Sequence, residues 1–239
     1  MKKKLVVASL VVALLAIAVG GTLAWFTAED SATNTFTIGS VEIEQNETNE
    51  DGSAFTQSQV LLPIVNVTSP SEDVNYVDKI VNVKSTGENA TYVRTFIAVP
   101  TAIKDILVLD TVDVETADAK WEKDSNTWDD VEVDGISYSV ISFTYTEALE
   151  KEETTAEPVL KGVYLKETVD VQDNNGTKQF CTLNEDGETY TFYACDITSP
   201  VKVLVATQGC QAEGFENGAA NAIDTAFGGK APDFTKVQE

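Results

Sequence analysis

The sequence predicts a mainly β protein: an antiparallel β-sandwich of jelly-roll type with short helices, including one near the C-terminus. Short runs of alternating apolar and polar residues recur along the chain, and polar turns separate them. Asp-Gly pairs at 134–135 and 186–187 lie between such runs, which is typical of two-residue hairpin turns. The apolar residues between 219 and 227 instead recur at the spacing of a helix.

The first 24 residues have the three parts of a signal peptide. Three lysines at positions 2–4 precede an apolar run over residues 5–19, and small residues follow it. The Thr-x-Ala pattern that ends at Ala24 predicts cleavage between Ala24 and Trp25. If the two aromatic residues after Ala24 are counted, the run approaches the roughly 20 residues of a membrane span. A retained membrane anchor is therefore the alternative.

Residues 25–44 predict an N-terminal strand segment ahead of a single β-sandwich domain over residues 45–239. Four apolar residues of this segment alternate with polar ones: Phe36, Ile38, Val41 and Ile43. The phase of the alternation slips at the Gly-Ser pair between Ile38 and Val41, as it does at a β-bulge.

Two stretches resemble a known family of exported proteins. Residues 20–27 read Gly-Gly-Thr-Leu-Ala-Trp-Phe-Thr, and residues 34–39 read Asn-Thr-Phe-Thr-Ile-Gly. Together they are similar to the leader class that the dedicated SipW-type signal peptidase cuts. That leader is shared by the TasA-like biofilm fibre proteins and by camelysin of Gram-positive bacteria, and residues 91–95 and 211–215 resemble later parts of the same family.

The resemblance implies a secreted structural protein of the cell surface or biofilm matrix that assembles into fibres. By analogy with the fibre proteins, residues 34–44 would be donated as a strand to a groove in the next subunit, with Phe36 and Ile38 in its pockets. The implied partners are the signal peptidase, further copies of the chain, and other matrix or surface proteins. Camelysin has been treated as a metalloprotease, but this chain has no histidine for such a site, so that activity is not expected.

The next part of the chain predicts three strands. Residues 60–67 contain Pro63, which favours an edge strand. Residues 77–84 and 91–99 are joined by a short turn and predict a hairpin. The last strand has two faces: Val93, Ile97 and Val99 on one, and Tyr92, Arg94 and Phe96 on the other.

Arg94 is the single arginine of the chain and is set among 39 acidic residues. It would either clamp a ligand carboxylate or form a partly buried ion pair with an acidic residue of the chain, which fixes the strand register. The structural ion pair is the favoured interpretation.

Residues 103–114 are compatible with a short helix or a strand, and residues 117–130 predict a polar loop. This loop carries Trp121 and Trp128, which would either stack on sugars or pack against the edge of the sheet. Packing is favoured over sugar binding.

The hairpin turns fix which residues face each other. Around the first Asp-Gly turn the expected cross-strand pairs are Val133 with Ile136 and Val131 with Tyr138. Around the second, Leu183 faces Tyr190 and Cys181 faces Phe192. Residues 138–146, 160–169 and 201–206 predict further strands, the last of them central, and a glycine pair at 228–229 ends the predicted C-terminal helix.

Three cysteines, Cys181, Cys195 and Cys210, cannot all pair within one chain. Two states are compatible with the sequence: either one disulfide and one free thiol, or three buried thiols. The hairpin register argues against a bond between Cys181 and Cys195, because their Cα atoms would lie too far apart.

The absence of histidine excludes the common zinc motifs and the Ser-His and Cys-His catalytic pairs. The acids at 130–134 imitate a calcium loop, but the twelfth position is Ile141 where glutamate is required. The sequence thus predicts no catalytic residue, no metal site, no cofactor and no enzyme activity. A hydrolase that uses paired carboxylates ranks third among the functions considered, after the structural protein and the binding module.

A net charge of −23 disfavours nucleic acid as a partner. The alternative function is a monomeric surface module that binds a glycan or a host ligand.

Overall fold

The computed structural model describes residues 27–31, 34–35, 41–55, 61–196, 201–215 and 217–236. The predicted signal peptide with its cleavage site at Ala24 and Trp25 lies outside the described residues, as do Phe36 and Ile38. The described chain is mainly β, with antiparallel sheets and one α-helix near the C-terminus, which confirms the predicted fold class at that level. The jelly-roll arrangement stays a prediction.

Thirteen strands are found among the described residues: β1 (Thr27–Ser31), β2 (Asn34–Thr35), β3 (Ile43–Thr48), β4 (Val77–Ser85), β5 (Thr91–Pro100), β6 (Leu107–Thr111), β7 (Trp121–Val133), β8 (Ile136–Tyr145), β9 (Leu160–Leu165), β10 (Val169–Asn174), β11 (Thr177–Leu183), β12 (Tyr190–Asp196) and β13 (Leu204–Gln211). Helix α1 spans Gly218–Phe227, and short 3-10 helices cover Pro70–Glu72, Thr101–Ile103 and Phe234–Lys236. Within the described residues, no helix has the length and apolarity to span a membrane.

Two sheets enclose the main core. The larger sheet has the order β2-β1-β13-β5-β8-β7, and the smaller has the order β3-β4-β9-β6. Buried residues from the two sheets form one cluster, with Val93, Ile97, Phe143 and Val205 from the larger and Val81, Val83, Leu160 and Leu165 from the smaller. A third sheet, β10-β11-β12, adds Val169 and Phe180 to this cluster. Apolar residues at alternate positions are thus buried between facing sheets, as in a sandwich.

Val41 and Ile43 belong to this same core, at 0% and 1% exposure. Ile43 begins β3, which pairs with β4 of its own chain. The donor strand over residues 34–44 stays a prediction, and donating its second half would remove two buried side chains, Val41 and Ile43, from the chain's own core. Burial of each is worth about 1.5–3 kcal/mol.

The outer face of the larger sheet is also covered. Phe96, Tyr138 and Leu204 pack there with Phe234 from the C-terminal 3-10 helix. Helix α1 packs Ala222 and Ile223 onto Cys210 of β13 and ends at Gly228, whose φ is +67°. Because both faces are covered, β5 and β13 are buried along nearly their whole length. The predicted helix and its glycine stop are confirmed.

The predicted hairpin of residues 77–84 and 91–99 is wrong, although both strands are present. β4 pairs with β3 and β9 in the smaller sheet, whereas β5 pairs with β13 and β8 in the larger one. The short connection therefore crosses from one sheet to the other. The two faces of β5 are as predicted, because Val93, Ile97 and Val99 lie in the core between the sheets and Phe96 lies on the outer side.

Both Asp-Gly hairpins are confirmed in register. Val133 pairs with Ile136 and Val131 with Tyr138 in one, and Leu183 pairs with Tyr190 and Cys181 with Phe192 in the other. A third hairpin joins β10 to β11 through Asn175 and Gly176, both with positive φ. The Asn-Gly pair is the sequence signal for this turn. The single strand predicted over residues 160–169 is wrong, because β9 ends at Leu165 and β10 begins at Val169.

Two other segments differ from the prediction. Residues 61–67 are irregular, and Pro63 makes only an isolated bridge to Leu165. The Asp73 carboxylate holds this loop by accepting hydrogen bonds from the Val65 and Asn75 amides at 2.7 and 2.8 Å. Residues 121–130, expected as a loop, belong to β7, because pairing with β8 outweighs their lack of alternation.

Gly162 leaves room for the ring of Tyr76, and an added methyl group would collide with it. A Cβ built on Gly162 would lie 2.3 Å from Tyr76 Cζ, and the Tyr76 hydroxyl is held by Asp110 at 2.8 Å. We expect Gly162→Ala to lower the free energy of unfolding by about 1–3 kcal/mol in urea denaturation. The same change in a Tyr76→Ala background should cost clearly less, and an equal cost in both backgrounds would contradict the explanation.

Candidate functional site

Within the part of the chain that the structure describes, one side of the sandwich is open between the two sheets. The edge strand of the smaller sheet is β6 and that of the larger is β7, and a groove of about 560 Å³ lies between them. We call it the side groove. Its apolar lining includes Ile97, Val99, Leu107, Leu109, Ile141 and Phe143, which belong to the core or pack against it. Lys104, Asp105 and Lys123 line it as well. The groove is therefore an opening into the sandwich interior that also carries charged groups.

The opposite side of the sandwich is closed by hydrogen bonds between β3 and β13. The Gln45 amide nitrogen donates to the Val205 carbonyl at 3.2 Å, and the Thr207 hydroxyl donates to the Gln45 amide oxygen at 2.8 Å. β1 covers the free edge of β13 through five residue pairs, from Thr27 opposite Cys210 to Ser31 opposite Ala206. The two sides of the sandwich are therefore unlike.

β6 has backbone groups that point to the open side and that no described strand pairs with. The Lys166 amide donates to the Ile106 carbonyl at 3.0 Å, while the Ile106 amide donates to the Ile103 carbonyl, so residues 106 and 166 occupy a hydrogen-bonded position of the ladder through one bond. Such pairs alternate in an antiparallel ladder, which directs the amide and carbonyl of Leu107 and Leu109 away from β9. Among the described strands, none pairs with this edge of β6. It can therefore accept an additional extended segment.

The edge of β7 is less suited to this role. Its register with β8 shifts between Lys123 and Thr127 and again between Trp128 and Val131. Asp130, next to the second shift, has a φ of +62°. Irregularities and charges of this kind hinder the addition of another strand.

A second cavity lies along β6 beside Asp110 and Tyr164, and it shares Val108, Leu109 and Thr111 with the side groove. It has a volume of about 310 Å³ and is lined by Pro70, Ser71, Val108, Leu109, Asp110, Thr111 and Tyr164. We call it the outer hollow. The Tyr76 hydroxyl donates to the Asp110 carboxylate, and burial together with Asp110 raises the pKa of Tyr76 above its usual value. The tyrosine thus stays a hydrogen-bond donor at any physiological pH.

Arg94 lies buried beneath helix α1 on the outer face of β5. Its Nε lies 3.2 Å from an Asp124 oxygen, and its Nη1 lies 2.6 Å from an Asp224 oxygen on the helix. Asp124 also accepts hydrogen bonds from the hydroxyls of Ser142 and Thr144, at 2.6 and 2.9 Å. The carboxylates that Arg94 binds thus belong to its own chain, and the ion pair ties the helix to the sheet.

Both tryptophans pack against the larger sheet, and Trp121 gives no platform for a sugar. Trp121 is fully buried, and its indole N–H donates to the Glu157 carbonyl at 3.0 Å. Trp128 packs against Phe96 on the outer face of the larger sheet, with 5.3 Å between the ring centroids. Sugar stacking on Trp121 is therefore wrong, and both rings pack against the sheet.

A buried polar chain inside the sandwich was not predicted. Lys79 forms an ion pair with Glu47 and lies over the ring of Phe55 at 4.3 Å. Glu47 accepts a hydrogen bond from Gln45 at 2.9 Å, and Gln45 continues the chain to Thr207. The signal was present in the alternation of β4, where position 79 falls in phase with the buried valines at 77, 81 and 83.

The described residues contain no group of three His, Cys, Asp or Glu side chains that could hold a metal ion. Cys181 and Cys210 are buried thiols. Burial raises the pKa of the Cys210 thiol to about 12, with Arg94 opposing part of the effect. This thiol is therefore protonated and poorly nucleophilic at neutral pH.

No protein-family model, curated protein or solved structure matches this chain. The side groove with the open edge of β6 is the feature from which a function can be argued. It combines the backbone groups of a strand edge with a mainly apolar lining that also includes Lys104, Asp105 and Lys123.

Proposed function

We propose that the protein is a secreted structural protein of the cell surface or biofilm matrix, resembling TasA-like fibre subunits, whose copies assemble by donating a strand to the side groove. The observation that carries this proposal is the open edge of β6 above an apolar groove. A strand added there would satisfy the outward backbone groups of Leu107 and Leu109 and would bury alternate side chains against the core.

The occupant proposed is the N-terminal segment of a second copy, residues 34–38. Its sequence, Asn-Thr-Phe-Thr-Ile, places apolar side chains at two alternate positions, Phe36 and Ile38. Five residues of strand span about 16 Å, which matches the five residues of β6. The donated segment ends before Val41, because Val41 is buried in the core of its own chain.

Donation competes with pairing inside the chain. To leave, residues 27–35 must give up the five pairs between β1 and β13 and the two pairs between β1 and β2. Both ladders lie at one edge of the larger sheet and are short. The exchange is therefore between two similar sets of backbone hydrogen bonds, and the burial of Phe36 and Ile38 in the side groove favours the assembled state.

Export and processing fit the same role. Cleavage by a SipW-type peptidase between Ala24 and Trp25 would release the segment from its membrane-bound leader. The protein then acts outside the cell as a subunit, not as an enzyme, and its acidic surface keeps the unassembled chain soluble. Membrane attachment would arise only through an uncleaved leader.

The test is electron microscopy of the secreted protein together with N-terminal sequencing of the same sample. We expect filaments built from chains that begin near Trp25. Deletion of residues 25–39 should leave folded monomers, because it removes the donated segment and spares Val41. Leu183→Ser, which changes an apolar side chain that is 52% exposed on the third sheet, is the matched control and should still form filaments.

Filaments that persist after the deletion would overturn strand donation. Folded monomers of the intact, correctly cleaved chain would favour the alternative, a monomeric surface module that binds a glycan or host ligand. An uncleaved chain would instead indicate a membrane-anchored protein.

A further inference from the structure

We propose that Asp110 determines which segment enters the side groove, admitting residues 34–38 and rejecting alternating segments that carry acidic residues between their apolar ones. This inference rests on the proposed function, because it concerns the occupant of the same groove. It adds a specificity-determining residue and a rule for the sequence of the bound strand.

A strand added to β6 has two faces, and the structure has a cavity for each. Side chains at alternate positions would enter the side groove, and those between them would lie over the outer hollow. The side groove is mainly apolar, although Lys104, Asp105 and Lys123 also line it. The outer hollow instead has polar groups from Ser71, Asp110 and Tyr164, so the two faces of the occupant meet different chemistry.

Asp110 brings a negative charge to the outer hollow at the open edge. It lies two residues from Val108, on the same face of β6, and it lines the hollow beside Tyr164. The Tyr76 ring lies across Gly162, opposite Asp110 in the ladder, and its hydroxyl holds the carboxylate at 2.8 Å. The charge is thus kept in one place by a neutral donor.

The N-terminal segment contains two alternating stretches that differ in their polar positions. Between and beside Phe36 and Ile38 the chain has Thr35 and Thr37, whereas beside Val41 and Ile43 it has Glu42 and Glu44. With the apolar residues in the side groove, the first stretch would present hydroxyls to Asp110 and the second would present carboxylates. Like charges on neighbouring strands destabilise the pairing. Burial of Val41 and Ile43 already retains the second stretch in its own chain, and repulsion by Asp110 adds a charge rule that the bound strand must meet at its polar positions.

The experiment measures the lowest protein concentration at which the full secreted chain forms filaments, at pH 7 and low salt. Thr35→Glu with Thr37→Glu should raise this concentration about fivefold relative to the matched neutral pair, Thr35→Gln with Thr37→Gln. Adding Asp110→Asn to the glutamate variant should restore assembly, because asparagine still accepts the Tyr76 hydrogen bond and lacks the charge. The difference between the two pairs should shrink in about 0.5 M salt, where charges are screened.

Equal assembly of the glutamate and glutamine variants would overturn the role of Asp110 while leaving strand donation intact. A glutamate defect that Asp110→Asn does not relieve would also overturn it, provided that circular dichroism shows each variant to be folded. Absence of filaments from the unmodified chain would instead contradict the proposed function itself.

Discussion

Thr27→Cys is expected to stop filament formation under oxidising conditions, and filament formation should resume when a reductant is added. Thr27 lies directly opposite Cys210 in the β1–β13 ladder. Residues paired in this way have Cα atoms about 4.5–5.5 Å apart, which is within the range that a disulfide can bridge. The bond would hold β1 on β13 of its own chain and so oppose the release of residues 27–35 that donation requires.

The chemistry of Cys210 sets the conditions for closing this bond. Because burial raises the pKa of its thiol to about 12, the attacking thiolate is scarce at neutral pH and its fraction grows as the pH rises. Oxidation should therefore be carried out at about pH 9 with a thiol oxidant and followed by intact mass measurement. The assembly assay is then performed at neutral pH.

The matched control is Thr27→Cys combined with Cys210→Ala, which cannot form the cross-strand bond and should assemble in either redox state. Electron microscopy and light scattering measure the outcome. If chains with a verified disulfide between positions 27 and 210 assembled as the unmodified protein does, the N-terminal segment would not be the donated strand.

Arg94→Met is expected to cause the largest loss of stability, about 3–5 kcal/mol in urea denaturation at neutral pH. Arg94 is 3% exposed, and its removal leaves the Asp124 carboxylate, a largely buried group, without a cation. The contact from Nη1 to Asp224 is lost as well, so helix α1 loses its charged attachment to the sheet. Methionine is chosen because it keeps most of the apolar stem.

A second substitution separates the buried charge from the packing. Arg94→Met with Asp124→Asn should recover part of the lost free energy, because the neutral amide still accepts hydrogen bonds from Ser142 and Thr144. A loss below about 1 kcal/mol for Arg94→Met would mean that the ion pair contributes little. A double variant no more stable than the single one would show that the loss comes from packing.

Local sequence patterns give correct predictions for those strands and turns that are specified by their own residues. The alternation in β5 assigned Val93 and Phe96 to opposite faces, and the Asp-Gly turns set two hairpin registers. The connection after β4 was predicted wrongly because a short turn can join neighbours in one sheet or strands in facing sheets. Local sequence does not distinguish these, since the choice depends on which distant strands, β3 and β13, are available as partners.

The side groove could not be predicted for the same reason. Its lining comes from four strands, β5, β6, β7 and β8, and from residues 104 and 105, and the groove lies where β6, the edge of the smaller sheet, faces the larger sheet. None of its residues has an unusual sequence context. The partners of Arg94 were also out of reach, because Asp124 and Asp224 are two among 39 acids and are brought together only by the packing of α1 on the larger sheet.

The order of the smaller sheet has a consequence for how such a polymer would grow. The N-terminal segment leaves the domain beside β3, and the accepting edge is β6, which lies at the far edge of the same four strands. When the N-terminal segment of one copy joins the β6 edge of the next, the contact is head-to-tail and uses two different surfaces. Such a contact forms an open chain of copies when the rotation between successive copies does not close a ring. Each polymer would then have two unlike ends, one with a vacant groove and one with an undonated segment. A chain without residues 25–39 could still accept a strand but could not pass one on, and so would cap growth at one end only.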